Sequence, residues 1–220
     1  MKTYSFHFLI LLLCIGSVSC KDASEKKKVD PFENSQNVEN TEYSKSDFLE
    51  KITEGSAEIV PGKSIGKIRV GDKPENLYEK LGNPDKGQAG MCKSMSQWIY
   101  GKNSQKSLIV FTECDPDDEM RPHILWIRTS DRTFKTKNNL GVESSTKEIE
   151  TNFPNMKIIG SYRDTLTNQK IVIKNAQAAG ITFELEKQKD GTCRAVMVNE
   201  KGKPPHIAYF SFYPDLELEN

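Results

Sequence analysis

One stretch of this chain predicts its fold more clearly than any other: Ile68-Arg69-Val70-Gly71-Asp72-Lys73-Pro74-Glu75-Asn76-Leu77-Tyr78-Glu79-Lys80-Leu81-Gly82-Asn83-Pro84. Asp72 is placed to cap a short helix, with Glu75 at the capping-box position. Leu77 and Leu81 are spaced i, i+4 and would form one buried stripe, and Gly82 would end the helix. A helix of about ten residues is not stable alone, so it must pack against other elements.

A second stretch of the same design follows: Leu140-Gly141-Val142-Glu143-Ser144-Ser145-Thr146-Lys147-Glu148-Ile149-Glu150-Thr151-Asn152-Phe153-Pro154. A shift of 72 residues superimposes the apolar positions, with Val70 on Val142, Leu77 on Ile149 and Leu81 on Phe153. Ser145 and Glu148 offer a capping box, and Pro154 would end the helix. Glu143 stands where the first copy has Gly71, so the turn before the second helix is expected to differ.

Both predicted helices are followed by runs of apolar, β-branched and aromatic residues that indicate strands. The runs are 96–100, 107–112 and 123–128 in the first copy, and 170–173, 180–185, 193–198 and 207–213 in the second. The predicted fold class is therefore α+β, with two tandem repeats, each a short helix followed by an antiparallel meander, in two layers. Repeat 1 would span 56–130 and repeat 2 would span 131–220.

The first helix segment, Gly71 followed by Glu75, Leu77, Leu81 and Gly82, resembles the tandem repeat of β-lactamase inhibitor proteins. It is also similar to the single repeat of SmpA/OmlA envelope lipoproteins, and the resemblance covers most of residues 62–198. It implies a helix-plus-meander fold and a role in protein binding or envelope assembly. β-Lactamase inhibition itself is not implied, because similar repeats serve other partners.

The N-terminal residues have the order of charge and hydrophobicity that is typical of a secretory signal peptide. Lys2 precedes a short apolar run, and the small residues Ser17-Val18-Ser19 precede Cys20. This run is shorter than the roughly 20 residues that span a bilayer. Ser17-Val18-Ser19-Cys20 resembles the lipobox of bacterial lipoproteins, which implies a signal peptide over 1–19 and palmitate-type acylation of Cys20. The alternative is an ordinary secretory signal with a chance cysteine.

Residues 20–55 are polar and have few large apolar side chains, so they are predicted to be a disordered, lipidated tether. Within them, residues 46–52 have the pattern of one or two helical turns. By the resemblance to lipoproteins, Lys21 after the acylated cysteine favours the outer membrane. The predicted location is therefore the bacterial cell envelope, lipid-anchored, with the periplasmic or surface face left open.

The folded part has three cysteines, in a compartment where disulfides are expected to form. If a hairpin turns near residues 101–106, Cys92 and Cys114 fall opposite each other, so we predict that they are bonded. The resembled inhibitor-type repeat pairs cysteines at similar places. Cys193 would then be unpaired, either as a buried small apolar residue or as a reactive thiol.

Composition excludes several classes of function. Lys+Arg and Asp+Glu both number 31, so no basic excess favours nucleic acid. No zinc-ligand spacing, nucleophile elbow or phosphate-binding glycine loop is present, and no cofactor is expected. Residues 115–119 form an acidic cluster that lacks the calcium-loop spacing, so a solvated loop is favoured. A catalytic pair of Cys193 and His206 is conceivable, but it is not favoured.

Aromatic residues on the predicted strands are the candidate binding residues: Trp98, Tyr100, Trp126, Tyr209 and Tyr213. Because strand side chains alternate, some would face an open side of the sheet, while others would complete the core. The leading hypothesis is a non-enzymatic protein-binding or inhibitory module anchored to the membrane. The alternative is a structural or assembly factor of the outer envelope, and a hydrolase is a remote third.

Overall fold

A computed structural model describes residues 45–101, 105–188, 191–205, 213 and 215–219. These residues include three α-helices: α1 (Lys45–Thr53), α2 (Glu75–Leu81) and α3 (Thr146–Asn152). The strands are β1 (Glu58–Val60), β2 (Ser64–Ile65), β3 (Ile68–Arg69), β4 (Lys86–Gly90), β5 (Lys93–Tyr100), β6 (Lys106–Asp115), β7 (Arg121–Thr129), β8 (Lys135–Thr136), β9 (Lys157–Arg163), β10 (Lys170–Ala176), β11 (Ile181–Glu186), β12 (Cys193–Asn199) and β13 (Glu217–Leu218). The chain is thus a mixed α+β protein in which strands predominate.

The strands form a large and a small sheet. The large sheet has the order β13-β9-β10-β11-β12-β7-β6-β5-β4 and is antiparallel throughout. Its two halves meet where β7 pairs with β12, with Ile127 opposite Val198. The small sheet has the order β3-β2-β1-β8, and β1 pairs with β8 in parallel.

The helices and the small sheet pack on one face of the large sheet. Ile52 of α1, Leu77 of α2 and Ile149 of α3 are buried in one cluster together with Ile59 and Ile65 of the small sheet. The large sheet contributes side chains to the same cluster from its central strands, among them Leu108, Val110, Ile127, Val196 and Val198. This packing supplies the burial that helices of this length need in order to form.

The helix ends match the sequence prediction in one copy and differ in the other. Ser145 caps α3, and the reciprocal bonds between Ser145 and Glu148 confirm the capping box. The prediction for Asp72 was wrong, because the N-cap of α2 is Pro74 and no side chain caps it. The Asp72 carbonyl accepts a hydrogen bond from the Ile124 N–H of β7 at 2.9 Å, which holds this residue on the sheet, ahead of the helix.

The turns before α2 and α3 are alike despite the exchange of glycine for glutamate. Gly71 has φ +89° and Glu143 has φ +70°, so both lie in the left-handed region. The expected difference between the two turns was therefore wrong. The Gly71 N–H donates to the Ile124 carbonyl at 2.7 Å, and the Glu143 N–H donates to the Cys193 carbonyl at 2.8 Å. These strand contacts hold Glu143 in a conformation that costs little for glycine but more for glutamate.

The folded part begins earlier than residue 56. Helix α1 confirms the helical turns predicted for 46–52, but Ile52 is only 1% exposed and belongs to the core. Because Ile52 is buried and α1 packs as part of the domain, the predicted end of the tether at residue 55 lies too far along the chain. The rest of the predicted tether and the signal peptide lie outside the described residues.

The large sheet contains every strand predicted between residues 96 and 198, and three that were not predicted: β4, β9 and the two-residue β13. Strand β4 has the sequence Lys86-Gly87-Gln88-Ala89-Gly90 and is exposed throughout, so it lacks the apolar alternation that indicates a strand. In β9, the exposed Ile158 and the central Gly160 break the pattern in the same way. The strand predicted for 207–213 lies outside the described residues, apart from Tyr213.

Candidate functional site

The second face of the large sheet carries its own buried cluster. Alternation along β6 sends Leu108 and Val110 to the helical face and sends Ile109 and Phe111 to the other face. The second cluster contains Met95, Ile109, Phe111, Trp126, Tyr162, Ile171, Ile173, Met197 and Tyr213. We call this side of the sheet the cleft face, because a cleft opens on it.

A buried ion pair lies at the centre of the cleft face. The Arg128 Nε donates to Glu184 Oε1 at 2.6 Å, and its Nη2 donates to Oε2 at 2.7 Å. Tyr162 Oη donates to Glu184 Oε2 at 2.7 Å, and Tyr213 Oη donates to Oε1. The Arg128 guanidinium carbon also lies 5.8 Å from the Tyr213 ring centre. Arg128 is 8% exposed and Glu184 is 1% exposed, so both charges are shielded from water.

Arg128 and Glu184 stay ionised, because their opposite charges and hydrogen bonds offset the cost of burying them. Burial favours the neutral acid, but the Arg128 charge and three hydrogen-bond donors lower the pKa of Glu184. Burial works against the charged guanidinium, but the Glu184 carboxylate raises the pKa of Arg128. Burial and the same carboxylate raise the pKa of Tyr162 and of Tyr213. The tyrosines therefore act as hydrogen-bond donors here and carry no charge at neutral pH.

Above this network the sheet forms a cleft of about 660 Å³. Strands from both halves of the sheet line it: Lys86, Gly87 and Gln88 of β4, Met95 and Gln97 of β5, Ser107 and Ile109 of β6, Arg128 of β7 and Tyr162 of β9, with Tyr213 and the turn residues Asp164, Thr165 and Leu166. The lining mixes apolar side chains with charges of both signs. Leu166 is 93% exposed at the edge of the cleft.

One wall of the cleft is an edge strand. Strand β4 is the last strand of the large sheet, so one side of its backbone has no strand partner among the described residues. All five residues of β4 are exposed, and three of them, Gly87, Ala89 and Gly90, are small. An extended peptide can pair with such an edge through backbone hydrogen bonds and place alternate side chains in an adjacent cleft.

The structure places the predicted binding aromatics inside the protein. Trp98 and Tyr100 face the helices, where the Trp98 Nε1 donates to the Gly82 carbonyl at 3.2 Å and the Tyr100 ring contacts Phe48. Trp126 stacks on Phe111 in the cleft face, with ring centres 5.2 Å apart. Tyr213 joins the Glu184 network, and all four residues are 5% exposed or less. They do not form the exposed aromatic face that we expected, and Tyr209 and Cys20 lie outside the described residues.

The cysteines follow the register predicted from the hairpin. Cys92 and Cys114 are bonded, with Cα atoms 5.3 Å apart, which confirms that pair. Cys193 is 1% exposed, and its Sγ donates to the Ala195 carbonyl at 3.2 Å. Burial raises the pKa of the Cys193 thiol, so it stays protonated and is a poor nucleophile. The hydrolase hypothesis therefore loses its thiol nucleophile.

The acidic loop is paired with cations. Asp115 caps a 3-10 turn over Pro116–Asp118, and Arg121 pairs with Asp118 and Glu119. His123 lies within 2.8 Å of Asp118 Oδ2 through Nε2 and within 3.0 Å of the Gly71 carbonyl through Nδ1. In the described part of the chain, no three His, Cys, Asp or Glu side chains form a group that could hold a metal ion. The same residues include no helix that is long and apolar enough to cross a membrane.

We expect His123 to make the stability of the domain depend on pH. Both contacts are satisfied only when both ring nitrogens carry a proton, and the Gly71 carbonyl followed by Asp118 raises the pKa of His123. Its contribution is therefore fully present below about pH 6.5 and is lost as the pH rises through the raised pKa. Thermal unfolding between about pH 5.5 and 8.5 should show that His123→Gln destabilises most at the acidic end. Parallel curves for the two proteins would contradict this.

The central residues of the cleft face were not predicted from the sequence. Glu184 lies in the strand that was predicted over 180–185 and that the structure shows as β11, whose six residues, Ile181–Glu186, are all buried. A carboxylate within an apolar strand is a signal of a buried ion pair, because an unpaired buried charge is costly. The partner Arg128 is 56 residues away in the chain, and nothing in its local sequence identifies it.

No protein-family model and no curated protein sequence matches the chain. Among solved structures, the chain is similar to a DUF4309 family protein (YjgB) from Bacillus subtilis, with a TM-score of 0.36 and 8% sequence identity. The match covers 71% of this chain and 95% of that one.

Proposed function

We propose that the chain is a lipid-anchored lipoprotein of the bacterial cell envelope whose domain binds a protein partner and catalyses no reaction. The observation that carries this proposal is the cleft on the large sheet, which opens along the accessible edge of β4. We infer that the partner contributes an extended segment, because an exposed edge strand can bind backbone in that conformation. Its alternate side chains would contact the apolar and charged groups of the cleft.

The anchor is proposed from the N-terminal sequence. The charge, the apolar run and the small residues before Cys20 come in the order of a lipoprotein signal. Two or three acyl chains at Cys20 would hold the protein durably, because a single chain binds membranes only marginally. By the resemblance to bacterial lipoproteins, Lys21 after the acylated cysteine supports the outer membrane as the location.

We also propose that the domain consists of two tandem repeats. Helix α2 is followed by β4–β7 and helix α3 by β9–β12, four antiparallel strands in each case. The residue pairs related by 72 positions all pack in the same core cluster: Val70 with Val142, Leu77 with Ile149, and Leu81 with Phe153. The strand contacts of Gly71 and Glu143 also correspond. In this arrangement both repeats line the cleft, so the binding site requires the complete domain.

Leu166 offers a test of the cleft that does not disturb the core. In the full chain, Leu166→Asp should lower recovery of the partner from cross-linked envelope extracts by about tenfold, because it places a charge in an apolar contact. Leu218→Asp is the matched control, since Leu218 is 50% exposed on β13 and does not line the cleft. Equal recovery with both variants, or equal loss, would contradict binding in the cleft.

Metabolic labelling of the cells that produce the protein tests the anchor. Grown with labelled palmitate, they should label the wild-type chain and the Cys14→Ser variant, because Cys14 lies within the predicted signal peptide. Cys20→Ser should abolish the label. Persistent labelling of Cys20→Ser would contradict the assignment of the lipid to this residue.

A further inference from the structure

The turn between β4 and β5 determines which backbone groups of β4 pair with β5. Met91 and Cys92 form a two-residue turn in which both φ angles are positive, as a type I′ hairpin turn requires. The residues on either side of such a turn, here Gly90 and Lys93, form a hydrogen-bonded pair. From that pair onwards, hydrogen-bonded and non-hydrogen-bonded pairs alternate along an antiparallel ladder.

The far end of β4 follows the same alternation. Lys86 lies opposite Gln97, an even number of residues from the turn, so this pair is also hydrogen-bonded. The Gln97 carbonyl does point toward β4, since it accepts from the Asp85 N–H at 2.9 Å. Gly87 and Ala89 hold the alternate positions. Their N–H and C=O groups therefore point away from β5, where the structure describes no further strand.

The register also decides which side chain of the edge meets a bound segment in the cleft. Lys86 begins a row of neighbouring side chains that crosses the cleft: Gln97, Ile109 and Arg128. A strand added beyond β4 would extend this row by one side chain, directly beside Lys86. The chemistry of that side chain is therefore set by Lys86.

The charge of Lys86 is not used within the described part of the domain. Lys86 is exposed and forms no ion pair there, whereas Arg128 at the other end of the row is neutralised by Glu184. The adjacent Asp85 accepts from a backbone N–H of β5 and lines a different concavity, on the helical side. Asp164 in the opposite wall of the cleft accepts three hydrogen bonds from its own turn. The cleft as a whole carries little net charge, so a preference for charge is local to Lys86.

We propose that the β4 edge binds an extended segment through the backbone of Gly87 and Ala89, with a carboxylate side chain opposite Lys86. This inference rests on the proposed function and names the chemistry of the partner. We place the segment antiparallel to β4, because every pair in this sheet is antiparallel. The residue opposite Lys86 is then in a non-hydrogen-bonded pair, where the side chains are closest and the Cα atoms are about 4.5 Å apart.

The same lysine argues against a second copy of this chain as the occupant. Lysine on an edge strand discourages pairing between identical edges. If two β4 strands paired antiparallel about Gln88, Lys86 of one copy would face Gly90 of the other, which offers no carboxylate. A different molecule with an acidic extended segment satisfies both the edge and the charge.

Peptide display tests the charge preference. The purified full chain selects from a library of short random peptides, and the selected peptides are sequenced. We expect aspartate and glutamate to be enriched about threefold at one position, because opposite charges on facing strands attract. Lys86→Glu should replace this by an enrichment of lysine and arginine. Lys157→Glu is the matched control, since Lys157 is exposed on β9 and does not line the cleft, and it should keep the acidic preference.

Amide hydrogen exchange and one proline test the backbone register. In the free protein, the amides of Gly87 and Ala89 should exchange faster than those of Gln88 and Gly90, and a selected peptide should slow them. Ala89→Pro removes an N–H from the edge, where proline is tolerated, and should weaken binding of the selected peptide about fivefold or more. Ala89→Val keeps the N–H and should bind as the wild type does.

Several results would overturn the inference. These are a library in which no peptide or no acidic residue is enriched, the same preference in wild type and Lys86→Glu, and equal binding by Ala89→Pro and Ala89→Val. A dimer in light scattering that Ala89→Pro abolishes would identify a second copy as the occupant and would also overturn it.

The proposed function is tested separately, because partner recovery from envelope extracts uses no peptide. If the acidic preference fails while Leu166→Asp still lowers recovery, only this inference falls, and the cleft binds its partner in another way. If Leu166→Asp and Leu218→Asp recover the partner equally, the proposed function fails, whichever peptides are selected.

Discussion

Glu184→Ala will lower the free energy of unfolding by about 3–5 kcal/mol, because it leaves the Arg128 guanidinium buried without its carboxylate. Tyr162 and Tyr213 lose the acceptor of their hydroxyl groups at the same time. Urea unfolding, followed by circular dichroism, would measure the loss. The pKa of Glu184 is lowered, so its contribution is fully present above about pH 4.5 and is lost as the pH falls through the folded-state pKa.

An ion pair between the large sheet and helix α3 provides the control. Lys174 and Glu150 lie 2.6 Å apart, but Glu150 is 45% exposed through its side chain. Exposed pairs contribute about 0–1 kcal/mol, so Glu150→Ala should have a small effect. If Glu184→Ala costs no more than Glu150→Ala, the buried pair does not stabilise the domain as we expect.

The double variant separates loss of a partner from loss of the pair. Arg128→Met with Glu184→Leu removes both charges and fills the space with apolar groups, which often costs little. We expect this protein to be more stable than Glu184→Ala alone. A double variant that is as unstable as the sum of the two single changes would show that the charges are not coupled.

Breaking the disulfide will cost about 3 kcal/mol, since it closes a loop of 22 residues in the chain. Cys92 follows Met91 in the turn between β4 and β5, and both have positive φ, at +64° and +50°. The bond ties this turn to Cys114 at the end of β6. We therefore expect Cys92→Ser with Cys114→Ser to destabilise the domain in urea unfolding, and the β4 edge to exchange its amide hydrogens faster.

Reductant and the third cysteine provide the controls. Dithiothreitol should destabilise the wild-type protein and leave the Cys92→Ser/Cys114→Ser protein unchanged. Cys193→Ala should keep the sensitivity to reductant, because Cys193 is buried and takes no part in the bond. Equal sensitivity of the double serine variant would contradict a role for this disulfide.

Local patterns were sufficient for most elements of the large sheet. Apolar alternation located β5, β6 and β7, and the hairpin register placed Cys92 opposite Cys114. The capping box at Ser145 was also visible, because its two partners are three residues apart. Strand β4 escaped detection because it is held by backbone pairing with β5, and its exposed side chains carry no pattern.

Most of the candidate site could not be predicted from the sequence. Alternation indicates that a strand has two faces, but it does not say which face is covered. Trp98 and Trp126 were equally plausible as exposed residues, and the packing of the helices and of Phe111 buries both. Leu166, which is 93% exposed at the edge of the cleft, lies in a turn with no motif.

By itself, the sequence determined the helices, most strands, the disulfide register and the expectation of an acylated Cys20, because each depends on residues that are close in the chain or paired across one hairpin. Only the tertiary structure decided that Arg128 meets Glu184 and that both halves of the sheet line one cleft. These features join residues that are far apart in the chain. Their neighbours are chosen by strand order and packing, which no local pattern encodes.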